Sequence, residues 1–573
     1  MWLVLPSSAF AATLTVGSNG DYQTIQAAVD EAEPGDIIEI EAGTYTEAIV
    51  INTPLWLRGE GRKSTILQSP GDEPAVRVRF TSNVEMRGFT FMAAETEPAL
   101  DVQEARVVVS ASDVVASKGE PNTSGLFKAE LSELIMFNMD FDGTGATAEK
   151  GGLLELTSGA LSCSDCTFRN GTATQTGGAI HSWGAEVTFR NAIFEDNRAQ
   201  SGGALWSGGP AHSLLTLERS TFERNEAEMT GKTFAGVGGA VAVYGASAHI
   251  HRSFFRNNVA SENGGAIDMT FTDGSLIEDT HFEDNKAKTG GGLSLVRMQN
   301  TSVRQNTFSN HIAANYAGAV YVGGMGDVDL QGNRFCNSSA PEGGLLTSNP
   351  WSGPIDVTAS NNLIVSSRGM TNAATFLLWP GTNMTVVNNT IHGSQSDNSL
   401  IWADEDSTLT FQNNALVANQ GSALVSLGSV TPSFNLYWDN DTEPSVKMGS
   451  DVLADPAFED ATLDCDANFR YPPGSPLVDA GDEAILDIDG TRSDIGAYGG
   501  PGAIAWDLDE DGLIEEDCNP LDPNETTGCD DPANTELVPR GWFCNQSGAS
   551  PLGVGVAGLG LLAIRRRRRR GST

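Results

Sequence analysis

Positive charge is scarce in this 573-residue chain: 34 lysines and arginines stand against 74 aspartates and glutamates, a net charge of −40. A surface this acidic repels phosphate backbones, so nucleic acid is not expected as a partner, whereas divalent cations are attracted. Charged residues make up only 19% and aromatics 7%, a mix that fits neither a coiled coil nor a helical bundle. Cysteine is also sparse, and its count of seven is odd, so an exported chain would keep one thiol unpaired. Glycine, at 64 residues, is abundant, which suits many short strands joined by tight turns. The length allows several ordinary domains or one solenoid, because repeat proteins grow by adding units.

Internal repeats decide between these. Gly-Gly-Ala-aliphatic begins at Gly177, Gly202, Gly238 and Gly264, with weaker copies at Gly291, Ala317 and Gly343. Phe-x-x-Asn begins at Phe194, Phe222, Phe255 and Phe282, with degenerate copies at Phe168, Phe308 and Phe335. The spacing is mostly about 25 to 28 residues, within the range of solenoid rungs. One rung of three short strands stacks on the next roughly 4.8 Å away. Glycine at a fixed place permits a tight corner, and asparagine at a fixed place can form a ladder of amides. The pairs Asn361-Asn362, Asn388-Asn389 and Asn413-Asn414 are expected to continue that ladder. The fold class expected is all-β: a right-handed parallel β-helix with an N-terminal helical cap and a short C-terminal calcium-loop and anchor region.

Near the start, Ile25, Ala28, Val29 and Ala32 fall at helical spacing, Pro34-Gly35-Asp36 makes a turn, and the residues from Ile37 alternate as a strand. This opening resembles that of pectin methylesterases and of the wider pectate-lyase-like group. There the helix covers the first rung and so protects an open edge. The paired GGA and FxxN motifs resemble the passenger repeats of chlamydial polymorphic membrane proteins, β-helical surface adhesins. That resemblance covers residues 168–346 and implies shared architecture. Residues 455–501, with DPAF, YPPGSPLVDAGD and DIDGTRSDIGAYGG, resemble the closing segment of secreted bacterial β-helix proteins and are expected to cap the solenoid body of residues 12–454.

The two ends carry an address. Ala9-Phe10-Ala11 ahead of Ala12 matches a signal-peptidase site, so residues 1–11 read as a signal peptide, and as a truncated one because the apolar stretch is short and lacks basic residues. At the other end, residues 541–573 hold Cys544, an apolar stretch of roughly 14 residues and the run Arg565 to Arg570. The arginines would hold that end in the cytoplasm. The arrangement resembles the myxobacterial C-terminal sorting tail (MYXO-CTERM), which implies processing and surface attachment at Cys544. A second cysteine beside it is lacking.

Between body and tail, residues 502–540 form an Asp-rich stalk. Asp507, Asp509 and Asp511 alternate ahead of Gly512, with Leu513 and Asp517 completing the loop, a pattern that wraps Ca²⁺ in oxygen ligands. Cys518 stands where a regulatory EF-hand has glutamate, and the loop resembles thrombospondin type 3 and related secreted calcium repeats. The Ca²⁺ is expected to be structural. Cys518 and Cys529 flank the loop and read as a disulfide pair. Cys163 and Cys166 are close enough to bridge within one turn, although CxxC also serves zinc and redox chemistry. Cys336 and Cys465 are the remaining candidates for a pair.

The rungs lack the NTD, paired DD, GHG and RIK motifs of galacturonan hydrolases, and neither the pectin methylesterase nor the pectate lyase residue set can be placed, so no catalytic residue is assigned. One surface is predicted by strand alternation. Ile180, Leu205, Val241, Ile267 and Val320 should point inward, leaving His181, Trp183, Trp206, Tyr244, Asp268, Arg297 and Tyr321 as an outward stripe. Aromatic residues on a long flat face suit stacking against sugar rings or partner surfaces. The reading is an exported bacterial surface protein, attached to the membrane through its tail, that binds glycans or other cell-surface partners without catalysis. A polysaccharide lyase or esterase is the alternative, and a passive envelope rod a further one. A cleft of clustered Asp, Arg or Lys on one rung face would favour the enzyme, and no motif displays one.

Overall fold

The computed structural model describes residues 11–506, apart from 117–124, 211, 230–235, 443–447 and 468. The calcium loop, Cys518, Cys529, Cys544 and the arginine run lie outside the described residues. The chain is a parallel β-solenoid of about 15 turns.

Three main strand columns run along the solenoid, with a fourth of very short strands such as Arg198–Ala199, and one rung shows the main three. Ile180–Arg190 runs through the first two columns, and Ile193–Glu195 belongs to the third. In the first column Ile180, Leu205, Val241, Ile267, Leu293, Val320 and Leu346 pair in parallel register, all pointing into the core. In the third, Phe168, Phe194, Phe222, Phe255, Phe282, Phe308 and Phe335 form one stacked row, with neighbouring ring centroids 4.5 to 5.1 Å apart. The FxxN phenylalanine is thus the core residue of its rung. Burying seven rings in one row accounts for the motif's persistence, at roughly 1.5–3 kcal/mol each.

The Gly-Gly corner needs both glycines for different reasons. Gly238 takes φ +64°, a left-handed conformation. Its follower Gly239 lies so close to the next rung that a Cβ would stand 2.0 Å from the Gly265 carbonyl oxygen.

Asparagine ladders are present, but there are two. The FxxN residues Asn197, Asn225, Asn258 and Asn285 bond amide to amide at 2.9 to 3.0 Å. The same position next holds His311, Ser338, Ser367 and Ser394, where the side-chain row is broken at Ser338, and amide pairing resumes at Asn419 and Asn440. Asn362, Asn389 and Asn414 belong to a separate row at another corner, running from Asn306 and Asn333 to Asn435. The expectation of one continuous ladder is corrected accordingly: both corners need their backbone N–H groups met from the next rung, and the amide suits either. The first residue of each pair, such as Asn361 at φ +55°, takes the left-handed corner position itself.

The N-terminal end is covered as expected. Thr24 caps the helix Ile25–Glu31, whose Ile25, Ala28 and Val29 are buried. The Glu47 carboxylate accepts from the first two helical amides at 3.0 and 3.1 Å.

Residues 455–500 lie along the flank of the last rungs. In those rungs the third column has apolar residues on its outer side too, namely Leu363, Val365, Ala415, Val417 and Leu436, and these need cover. Phe469, Leu477, Ile495 and Ala497 supply it. Asn361 donates to the Ala497 and Gly499 carbonyls, and Asn388 to that of Asp494. The disulfide Cys336–Cys465 ties the strap down, and a second bridge joins Cys163 and Cys166, both buried.

Candidate functional site: the outer face of the first strand column

Two outward positions per rung build this face. The first holds, in register, Arg77, Asp101, Lys128, Glu155, His181, Trp206, Ala242, Asp268, Ser294, Tyr321 and Thr347. The second, two residues on, holds Arg79, Gln103, Glu130, Thr157, Trp183, Gly208, Tyr244, Thr270 and Val296.

The face changes character along the axis. In its N-terminal rungs it is ionic: Asp101 pairs with Arg77 and Arg79 at 3.4 and 3.2 Å. Beside them a cavity of about 420 Å³ is lined by Asp101, Lys128, Glu149, Lys150 and Glu155. This is a cleft of mixed charge on one rung face, which no motif had revealed. From His181 onward the face turns aromatic.

Strand alternation placed these side chains on the outer face, but it did not foresee which are accessible. Trp183 and Tyr244 are 45% and 47% exposed, and Trp206 is half-buried. His181, Asp268 and Tyr321, expected in an open stripe, are buried. The first outward position lies in the bend made with the Gly-Gly corner, whose residues shield it. Thr176 Oγ1 lies 2.8 Å from His181 Nδ1, and Thr347 Oγ1 donates to the Glu342 carbonyl. The Trp206 ring stacks on the His181 ring at 4.7 Å, and Trp183 stacks on Trp206 at 6.0 Å.

Burial shifts the ionisable groups. It lowers His181 to about 4, aided by the Lys150 charge, so the imidazole is neutral near pH 7. It raises Asp268 to about 6 against hydrogen bonds to its carboxylate, including one from Thr270 Oγ1 at 3.2 Å. Burial likewise raises the Tyr321 phenol.

Arg297 reaches the face by a different route. Leu293 and Leu295 point inward, so plain alternation would send Arg297 inward as well. Instead it stands at the corner after the strand position of Val296, at φ +55°, which turns it out. There its guanidinium lies over Phe271 at 4.7 Å and over Trp351 at 4.5 Å, and its Nε donates to Ser352 Oγ at 3.3 Å. Phe271 and Trp351, 43% and 55% exposed, extend the aromatic stripe and were missed. Phe271 sits on a corner and Trp351 on a loop, where the period-two rule does not apply. Tyr244 meets Phe271 edge to face at 5.5 Å. Among the described residues no group of three or more His, Cys, Asp or Glu could hold a metal ion, and no helix is long and apolar enough to cross a membrane.

No protein-family model and no curated protein matches the chain. Solved structures do resemble it. One is a mannuronic-acid-specific polysaccharide family 6 lyase from human gut microbiota, at 12% identity and TM-score 0.32, covering 63% of this chain and 84% of that one. Another is the surface adhesin PfbA of Streptococcus pneumoniae, at 11% identity and TM-score 0.27, covering 72% and 87%. A third is the pectin methylesterase of Aspergillus niger, at 17% identity and TM-score 0.22, covering 46% and 81%. At these identities the likeness is one of solenoid fold.

Proposed function

We propose that this protein binds extended glycans along the outer face of the first strand column, as a surface-attached, adhesin-like solenoid. One observation carries the reading: Trp183, Tyr244, Phe271 and Trp351 are large aromatic side chains left substantially exposed on one face. A contiguous patch of exposed rings marks an interaction surface, and flat rings stack on the apolar faces of sugars. Rungs advance about 4.8 Å, so the stripe meets an extended chain at repeated intervals.

The test is a glycan array on the full chain, run beside an ultraviolet assay for unsaturated uronic-acid products. Binding without product, lost in Trp183→Ala with Trp206→Ala, is the expected result. Product formation would replace the adhesin by a lyase. Silence in both assays would leave a passive envelope rod. The lyase remains the second reading because Lys128, Lys150, Asp101 and Glu155 converge on one cavity. A lysine can neutralise a uronate carboxylate, and the cavity's own carboxylates can orient it.

The address is part of the same proposal. The disulfides Cys163–Cys166 and Cys336–Cys465 suit an oxidising compartment outside the cytoplasm. Asp507, Asp509, Asp511, Leu513 and Asp517 would bind Ca²⁺ in the stalk, and Cys544 would anchor the chain. Chelation should then speed proteolysis within residues 502–540 and leave the solenoid intact. Equal cleavage with and without Ca²⁺ would count against the stalk site.

A further inference from the structure

Arg297 is the group on this face that the glycan reading leaves unexplained. Arg77, Arg190, Arg224, Arg252 and Arg304 make ion pairs with carboxylates, whereas Arg58 and Arg492, like Arg297, lie over aromatic rings and make none among the described residues. Among the described residues Arg297 has no carboxylate partner, in a chain where acid outnumbers base more than twofold. Its guanidinium packs against two rings, Phe271 and Trp351. Its one side-chain hydrogen bond, to Ser352, uses Nε. The two terminal nitrogens, Nη1 and Nη2, make no hydrogen bond among the described residues.

The backbone supports a use for this arrangement. Between Gly184 and Gly324 the corner after the first strand column is glycine except at Phe271 and Arg297, which take φ +60° and +55°. A left-handed conformation costs a bulky residue about 1–2 kcal/mol that glycine avoids. The chain bears that cost in two successive rungs, and the two side chains it installs are the ones in contact.

Resting on the glycan-binding reading, we propose that the Nη edge of Arg297, framed by Phe271 and Trp351, binds the carboxylate of an acidic sugar. The planar fork matches a carboxylate in two parallel N–H···O bonds, a match that lysine cannot make. Packing against the two rings restricts the side chain, so binding has less rotamer freedom to freeze. The neighbouring rings Tyr244 and Trp351 take the sugar faces. Because the rest of the body is strongly acidic, an anionic chain is tolerated only where such a cation meets it. The ligand class is thus a carboxylate-bearing glycan held at this rung.

Polygalacturonate and its fully methyl-esterified form share a backbone and differ in charge, so they isolate the contact. The full chain should bind the acid form about tenfold more tightly, as suits a charge-assisted hydrogen bond. Arg297→Gln should abolish that preference, the two forms then binding within about twofold of each other, with an unchanged unfolding midpoint. Arg297→Lys should recover only part of it. Equal affinity of the parent for both forms, full preference in Arg297→Lys, or equal binding of dextran sulfate would overturn the assignment. Failure to bind either polymer or any arrayed glycan would overturn the glycan reading itself, a distinct result.

Discussion

His181 and Trp206 occupy the same strand position one rung apart, and their rings stack nearly parallel at a centroid distance of 4.7 Å. The tryptophan thus keeps water from the imidazole while presenting its own outer side to the face. In Trp206→Ala the cover is lost, and the His181 pKa should rise from about 4 toward its ordinary 6.5. Titration of the imidazole by NMR reads this directly. An unmoved pKa would mean that the Thr176 corner alone desolvates the ring.

Gly239→Ala should be far more damaging than a surface glycine change. The added methyl would meet the Gly265 carbonyl oxygen at 2.0 Å, and neither backbone can retreat without parting the ladder between the two rungs. We expect a loss of more than about 3 kcal/mol or failure to fold, measured by urea unfolding. Gly274→Ala, at a corner with open space, should cost about 1 kcal/mol, from its positive φ alone.

The contrast bears on what could be read from the chain. Across residues 168–346 the GGA and FxxN motifs recur once per rung because each meets a demand those rungs share: a corner without a Cβ, and a core ring. Such positions are legible from spacing, and they specified the solenoid and the helix from Ile25. Accessibility is not periodic in the same way. His181, Asp268 and Tyr321 share the outward parity of Trp183 and Tyr244, yet the preceding corner shields them. Arg297 points outward only because it takes a left-handed conformation at a corner within the strand Leu293–Arg304. The ionic cleft was invisible because Asp101, Lys128 and Glu155 meet across rungs that carry neither motif. The strap was likewise hidden, since its contacts join positions more than a hundred residues apart, such as Asn361 and Ala497.

Breaking the Cys336–Cys465 bridge should loosen the strap before the solenoid. The bond closes a loop of 129 residues, for which chain entropy sets a ceiling of about 4–5 kcal/mol. A rung touches only its neighbours, so the N-terminal rungs should not feel the change. In Cys336→Ser with Cys465→Ser, hydrogen exchange should accelerate in residues 455–500 and stay unchanged around Phe168 to Phe255. Uniform acceleration would show that the body unfolds as one cooperative unit.

His311 offers a test of the ladder with a definite pH dependence. It stands one rung beyond Asn285, where the FxxN row would next place an asparagine, and its Nδ1 accepts from the Asn285 amide at 3.3 Å. Burial lowers its pKa to about 4, against 6.5 when unfolded. Between those values the unfolded chain holds a proton that the folded chain lacks. This group therefore costs stability progressively as pH falls from about 6.5 toward 4 and costs none above it. An amide has no such term and can repeat the contacts of Asn285. His311→Asn should accordingly raise the urea midpoint slightly near pH 8 and by clearly more near pH 5. Buried carboxylates such as Asp268 titrate with the opposite sign, but they are common to both proteins and cancel in the comparison. An equal gain at both pH values would show that the imidazole titrates alike in the folded and the unfolded chain, so that burial does not shift it.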